Sequence, residues 1–202
     1  MQTPIDLFVL TRTHFLIFLS VVLAFAFILQ LLYRSKRIKS VKIFKYLFWG
    51  AATFPFLYYL YLTYAQYLEW KGESGPAKFL VPPYTGAEYV IKYHFIGFYI
   101  YYLVSLIVAV LFLILTIWLN NKYKKRFFED EEPYIGGMAI SLTGYPGFVI
   151  YLVIILTSQL ILTFGRIVLF RKSERVPFYY LWLPAGLFAI LLMYKYHLFY
   201  FA

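Results

Sequence analysis

Five runs of this chain, residues 15–33, 46–67, 95–119, 148–164 and 178–194, contain no Asp, Glu, Lys or Arg. A helix crosses a bilayer core with about 20 predominantly apolar residues, and most of these runs approach that length. In lipid every backbone N–H and C=O must be satisfied within the chain, and a helix does this within each segment. The expected fold is therefore all-α: one polytopic helical membrane domain over residues 1–202, with about five long membrane helices. The first run is read as a retained anchor. Its flank Gln30-Leu31-Leu32-Tyr33-Arg34 lacks a small-residue cleavage pattern, and Asp6 precedes it.

Composition removes several classes. Charged residues make up 14% of the chain and hydrophobic residues 63%, with a mean hydropathy of +0.72. Globular domains carry about 25% charged residues, so a disordered chain and a soluble enzyme are both excluded. The 22 Tyr and 22 Phe suit the headgroup boundary, where an apolar ring and a polar tip are both accommodated. There is no Cys, hence no disulfide framework, thiolate metal site or Cys nucleophile. His14, His94 and His197 each stand without a second His or a carboxylate at ligand spacing, so neither a metal nor another cofactor is expected.

Basic residues orient the chain, because short cytoplasmic loops carry their excess. Arg34, Lys36, Arg37, Lys39, Lys42 and Lys45 mark the first connection as cytoplasmic. Alternation then puts 68–92 outside as an extracytoplasmic loop and 120–133, with Lys122, Lys124, Lys125 and Arg126, inside as a charged loop. A single helix over 136–164 would carry Arg166, Arg171, Lys172 and Arg175 outside, and it would exceed a normal span. Both conflicts vanish if Gly144-Tyr145-Pro146-Gly147 is a turn, since Pro lacks the N–H donor and Gly permits reversal. Residues 134–143 then form a half-span, and 134–164 is a re-entrant hairpin whose turn is buried against neighbouring helices. The alternative is one long, kinked and tilted helix. The re-entrant reading leaves both termini outside. A bacterial plasma membrane is expected ahead of an organellar inner membrane.

Within 68–92, Gly72, Gly75, Pro76, Pro82, Pro83 and Gly86 argue against a regular helix across the middle, and Val81-Pro82-Pro83-Tyr84 is expected to be extended. Pro55 and Pro184 each lie inside an apolar run, where each frees a carbonyl and bends its helix.

The densest polar feature is Glu129-Asp130-Glu131-Glu132, between a basic stretch and the apolar 134–143. Four adjacent acids at the mouth of a half-span can supply a proton-carrying carboxylate or hold a cation. They can equally form, with Lys122 to Arg126, a solvated loop that neutralises itself. Ser105, Thr116, Thr157, Ser158, Gln159 and Thr163 serve helix packing. Ser158 has no neighbouring His or Lys to act as the base that a nucleophile needs.

The order Glu132, residues 134–143, Gly144-Tyr145-Pro146, residues 148–164, Arg171 to Arg175, then Val176-Pro177-Phe178 resembles the C-terminal part of the prepilin peptidase family. Those are membrane aspartic proteases that cut type IV pilin leaders. The similarity covers about 70 residues of short apolar elements. It departs from the family at the motif itself: Glu132 stands where that family has Asp, and Phe128, Glu129, Asp130 and Glu131 replace the preceding glycines. The resemblance implies a diacid site in which one acid activates water and the other protonates the substrate carbonyl. Its catalytic candidates are Glu132 or Asp130 with Glu69 as partner, although the topology puts Glu69 on the opposite face.

Three functional classes follow. The first is a non-catalytic assembly or scaffold partner, with the lipid bilayer and a membrane protein partner or second copy as its contacts and no nucleic acid. The second is a divergent aspartic membrane protease. The third is lipid handling, in which Arg34, Lys36, Arg37 and Lys39 contact anionic headgroups at about 1 kcal/mol each.

Overall fold

A computed structural model describes residues 4–37, 40–124, 127–170 and 178–196, with side chains from residue 15 onward except at 98, 169 and 170. Lys39, Lys125, Arg126, residues 171–177 and His197, together with the side chains of Asp6, Arg12 and His14, lie outside the described residues. The described backbone is helical, with no strand. Its elements are α1 (Pro4–Arg34), α2 (Lys42–Gly72), α3 (Glu88–His94), α4 (Ile100–Lys122), α5 (Glu132–Thr143), α6 (Gly147–Phe170) and α7 (Trp182–Lys195). A π-helical turn, Phe95–Tyr99, joins α3 to α4.

Four helical stretches, Phe15–Arg34, Ile100–Lys122, Gly147–Val168 and Phe178–Lys195, are long and apolar enough to cross a membrane, in keeping with the membrane location read from the sequence. The run at 46–67 lies within α2, which is longer still but less apolar, because Tyr46, Tyr58, Tyr59, Tyr61, Tyr64 and Tyr67 dilute it.

The chain is broken where Gly and Pro predict. α5 ends at Thr143, Gly144 takes φ +64°, and α6 begins at Gly147 after a cis Tyr145–Pro146 bond. A left-handed φ is nearly free for Gly and costly for a residue with a Cβ. The Phe148 N–H donates to the Gly144 carbonyl at 2.7 Å, closing the turn. A single helix across 138–164 is therefore not the structure: a twelve-residue helix, α5, ends before the turn and α6 begins after it.

α5 lies at the centre, packed against α1, α2, α4, α6 and α7. Of its twelve residues only Tyr134 is not buried. Small residues make this possible. A Cβ on Gly136 would lie 2.7 Å from Phe112 Cε1 and 3.1 Å from Trp182 Cε3, and one on Gly137 would lie 3.1 Å from Phe48 Cε2. Helices in lipid associate through such close packing, since lipid tails offer no hydrophobic drive between them. The polar atoms of α5 are satisfied locally: Ser141 Oγ donates to the Met138 carbonyl and Thr143 Oγ1 to the Ala139 carbonyl, both at 2.9 Å. From α4, Ser105 Oγ reaches the Tyr102 and Ser141 carbonyls, at 2.8 and 3.3 Å.

Four local expectations are corrected. Residues 68–72 extend α2 and 88–92 begin α3, so the connection is shorter than 68–92 and holds a 3-10 turn, Pro76–Leu80. Likewise α4 runs through Lys122 and α5 starts at Glu132, which trims the 120–133 loop at both ends. Val81 is extended, with φ −129° and ψ 163°, but the chain then turns, the Tyr84 N–H donating to the Val81 carbonyl at 3.1 Å across a cis Pro82–Pro83 bond. Pro184 falls in the first turn of α7, where the N–H it lacks would have had no intrahelical acceptor, so it bends nothing. Pro55 does stand inside α2, and Tyr102 Oη donates at 2.5 Å to the Ala52 carbonyl, next to the carbonyl that Pro55 leaves without a helical N–H.

Candidate functional site at the basic end

The ends of α1 and α4 and the starts of α5 and α7 meet at the basic end of the bundle, and the described polar interior concentrates there. Glu132 opens α5 and is 3% exposed. Both its oxygens are engaged: Oε1 accepts from Trp182 Nε1 at 3.1 Å, and Oε2 accepts from the Glu129 backbone N–H at 2.7 Å. One carboxylate thus ties α5 to α7 and fixes the loop before it. Beside it, Asn120 makes a two-way bond with the Phe128 backbone, Nδ2 to O at 2.9 Å and N–H to Oδ1 at 3.0 Å. This fastens the end of α4 to the same loop.

Glu129 is half-exposed and pairs with Arg34, whose Nη1 lies 3.0 Å from both carboxylate oxygens. Arg34 also sits over the Tyr179 ring, 5.4 Å from its centroid. Tyr179, buried in the 3-10 turn Phe178–Tyr180, joins α1 from the other side. Its carbonyl accepts from Gln30 Nε2 at 2.5 Å, and its hydroxyl donates to the Gln30 carbonyl at 3.2 Å. Glu131 is buried, 2% exposed, beside Tyr179.

The acidic run is therefore divided rather than uniformly solvated. Asp130 is exposed and Glu129 half-exposed, whereas Glu131 and Glu132 face inward. A loop that neutralises itself against Lys122 to Arg126 does not describe the latter two. Both lie outside the four spanning stretches, and burial holds both above the ordinary carboxylate range, with repulsion from Glu129 a lesser cause.

The remaining candidates lie elsewhere. Glu69 is near the end of α2, hydrogen-bonded to Gln66 Nε2 at 3.0 Å. Phe48 of the same helix touches Gly137, so Glu69 stands roughly 30 Å further along the axis at 1.5 Å per residue, and the structure does not bring it to Glu132 or Asp130. Of the proposed headgroup contacts, Arg34 is held by Glu129, while Lys36 and Arg37 are exposed. Gly144 and Gly147 are buried within the turn and Tyr145 is exposed, its ring stacked at 6.0 Å on Tyr101. Among the described residues no three His, Asp or Glu side chains are placed to hold a metal ion.

Four residues of this site escape a reading of the sequence. Gln30 is a lone amide near the end of the first run and Asn120 the first of an adjacent pair just past the third, and this position was their only signal. Tyr179 and Trp182 look like ordinary belt aromatics until their polar atoms are seen to be bonded.

Comparison with known protein families, with characterised proteins and with solved structures finds no match.

Proposed function

We propose that this chain is a non-catalytic membrane protein that serves as an assembly partner. One observation carries the reading: the fully buried side chains of α6 are confined to its first nine residues among those described. Tyr151 and Ile155 are its last fully buried side chains, and from Leu156 to Val168 none is buried. Leu160 and Ile161 are 69% and 70% exposed. The exposed apolar stripe that includes Leu156, Leu160, Ile161 and Phe164 can take a helix of another membrane protein, or of a second copy, as well as lipid. The acids nearest the core support the same reading, because Glu132 is occupied as a strut.

A photo-crosslinking residue at Leu160 or Ile161 is expected to give protein adducts in native membranes, while one at Leu111 on α4 gives none. Adducts with lipid alone at all three positions would remove the assembly reading. The orientation proposed with it puts the basic end in the cytoplasm of a bacterial cell and both termini outside.

A divergent prepilin-peptidase-like protease is the second reading, and the break at Gly144-Tyr145-Pro146 favours it. Since Glu69 is remote, that reading needs Glu129 or Glu131 as the second acid. Unchanged cleavage of a prepilin leader by a Glu132→Gln variant would remove it.

A further inference from the structure

The outward face of α2 divides into two chemically distinct stretches. In its first two turns Lys42, Lys45, Tyr46 and Trp49 stand at spacings of three and four residues and so share one side of the helix. All four are exposed, Tyr46 by 70% and Trp49 by 48%. Phe44, Phe48 and Ala51, on the opposite side, are buried, and Phe48 packs at Gly137, where the Ala109 carbonyl of α4 also lies. The side with the lysines therefore points away from the bundle. Further along it come Thr53, Phe56, Leu57 and Leu60, again all exposed. The Thr53 hydroxyl donates to the Trp49 and Gly50 carbonyls at 2.9 and 3.1 Å, so its polarity is spent within the helix and this stretch is apolar. Gly50 leaves a notch beside Trp49, since a Cβ placed there would meet nothing within 4 Å. From Trp49 to Leu60 the axis rises about 16 Å, against about 15 Å for one leaflet of the hydrocarbon core.

Local structure gives no reason for the two lysines. The helix dipole disfavours cations in a first turn, and α2 has neither an acid in that turn nor a side-chain cap. Lys42 and Lys45 have no ion-pair or hydrogen-bond partner among the described residues. Orientation of the chain asks for basic residues in the connection, and Arg34, Lys36 and Arg37 already supply them. It does not ask for lysines in register with a tyrosine and a tryptophan.

We propose that this face of α2 binds a phospholipid with an anionic headgroup. Lys42 and Lys45 meet the headgroup phosphate. Tyr46 and Trp49 take the boundary between headgroup and chains, where a ring with a polar tip is accommodated. An acyl chain then lies along the notch at Gly50 and the apolar stretch that ends at Leu60. Charge complementarity selects the headgroup, and an apolar stretch one leaflet long selects a lipid over a free phosphate or an acidic peptide. The bound lipid anchors at headgroup level a helix too rich in tyrosine to rank with the four spanning stretches.

The test is quenching of Trp49 fluorescence by phospholipids brominated on their acyl chains, with the purified full chain in phosphatidylcholine vesicles. The Trp49 signal is the difference between the parent chain and Trp49→Phe. The brominated component, at a fixed mole fraction, is either phosphatidylglycerol or phosphatidylcholine. Brominated phosphatidylglycerol is expected to occupy the site about fivefold more strongly or better, fivefold being the worth of one lysine at an anionic surface. Lys42→Gln/Lys45→Gln should bring the two lipids level while quenching by brominated phosphatidylcholine persists, which shows that the helix still faces lipid. Lys36→Gln/Arg37→Gln removes the same charge from the same connection but off the stripe, and should leave the preference in place. Free glycerol phosphate should not relieve the quenching. Equal quenching by both lipids in the parent chain, or equal loss of preference in the two double variants, would overturn the site in favour of bulk lipid or of net charge. Relief by glycerol phosphate would overturn it in favour of a plain anion site, and no quenching by either lipid would mean that protein covers the face.

Discussion

The two arms of the hairpin invert the pattern of a soluble protein. α6 is the more apolar arm, and none of its described side chains from Leu156 to Val168 is buried. α5 carries two glycines, a serine, a threonine and a glutamate, and is buried on almost every residue. In water the more apolar arm would go inside. In lipid the apolar arm is already in its preferred solvent, and the interior goes to the arm whose small side chains allow close backbone approach and whose polar atoms need protein partners. Hydropathy therefore reports which arm faces lipid, and small-residue content reports which arm is the core.

Substitutions should separate the arms by size of effect. Gly136→Val forces side-chain carbon into Phe112 and Trp182, and a loss of about 3 kcal/mol is expected, read as collapse of the monodisperse peak and of the thermal transition. Glu132→Ala leaves the indole N–H of Trp182 and the Glu129 N–H unpaired in the interior. It should cost about 2 kcal/mol in the denaturant midpoint, with Trp182 fluorescence shifting as its partner is lost. Arg34→Gln breaks a half-exposed pair, so the loss should stay below about 1 kcal/mol and shrink with added salt. Leu160→Ala on α6 should change thermal stability least, by no more than about 0.5 kcal/mol, while reducing any protein crosslink at Ile161. Equal sensitivity of Gly136 and Leu160 would break the contrast between the arms.

Acid and base should act at the mouth of the hairpin and, in the opposite sense, at His94 on α3, whose burial lowers its pKa to about 4. The folded state holds Glu131 and Glu132 above the ordinary carboxylate range, so at these two groups it binds more protons than the unfolded chain. Linkage then makes their contribution to stability greatest at low pH within that window and lets it fall as pH rises from the ordinary carboxylate value through the folded one. Melting followed from pH 4 to pH 8 in the parent chain and in Glu131→Gln checks the sign, since the variant should lose part of that fall. A slope difference between the parent chain and Glu131→Gln of the opposite sign would mean that Glu131 is favoured as an anion.

Legibility in the sequence divides along the same line. The hairpin break was readable because Gly144 and Pro146 act on the backbone within a few residues. Burial of α5 could be anticipated only as a consequence of that break, although Gly136, Gly137, Ala139 and Ser141 were visible as small residues. The site was half legible. Four adjacent acids announced themselves, but nothing local shows that Glu131 and Glu132 turn inward while Asp130 stays out. Nor can local pattern pair Gln30 with Tyr179 across 149 positions, since that contact exists only once α1 and α7 are packed. Element ends were misplaced at 68–72, 88–92 and Pro184 for a related reason: Gly and Pro mark where a helix can stop, and tertiary packing decides whether it does.

The chain has no cysteine, so single-cysteine variants give a clean reading of which compartment each connector faces. Asp130→Cys and Arg166→Cys, treated with a membrane-impermeant maleimide in sealed vesicles of known orientation, flank the hairpin, with Glu73→Cys marking the opposite end of the bundle. If α5 and α6 double back at Gly144, positions 130 and 166 label from one side and position 73 from the other. Labelling of 130 and 166 from opposite sides would contradict the re-entrant arrangement.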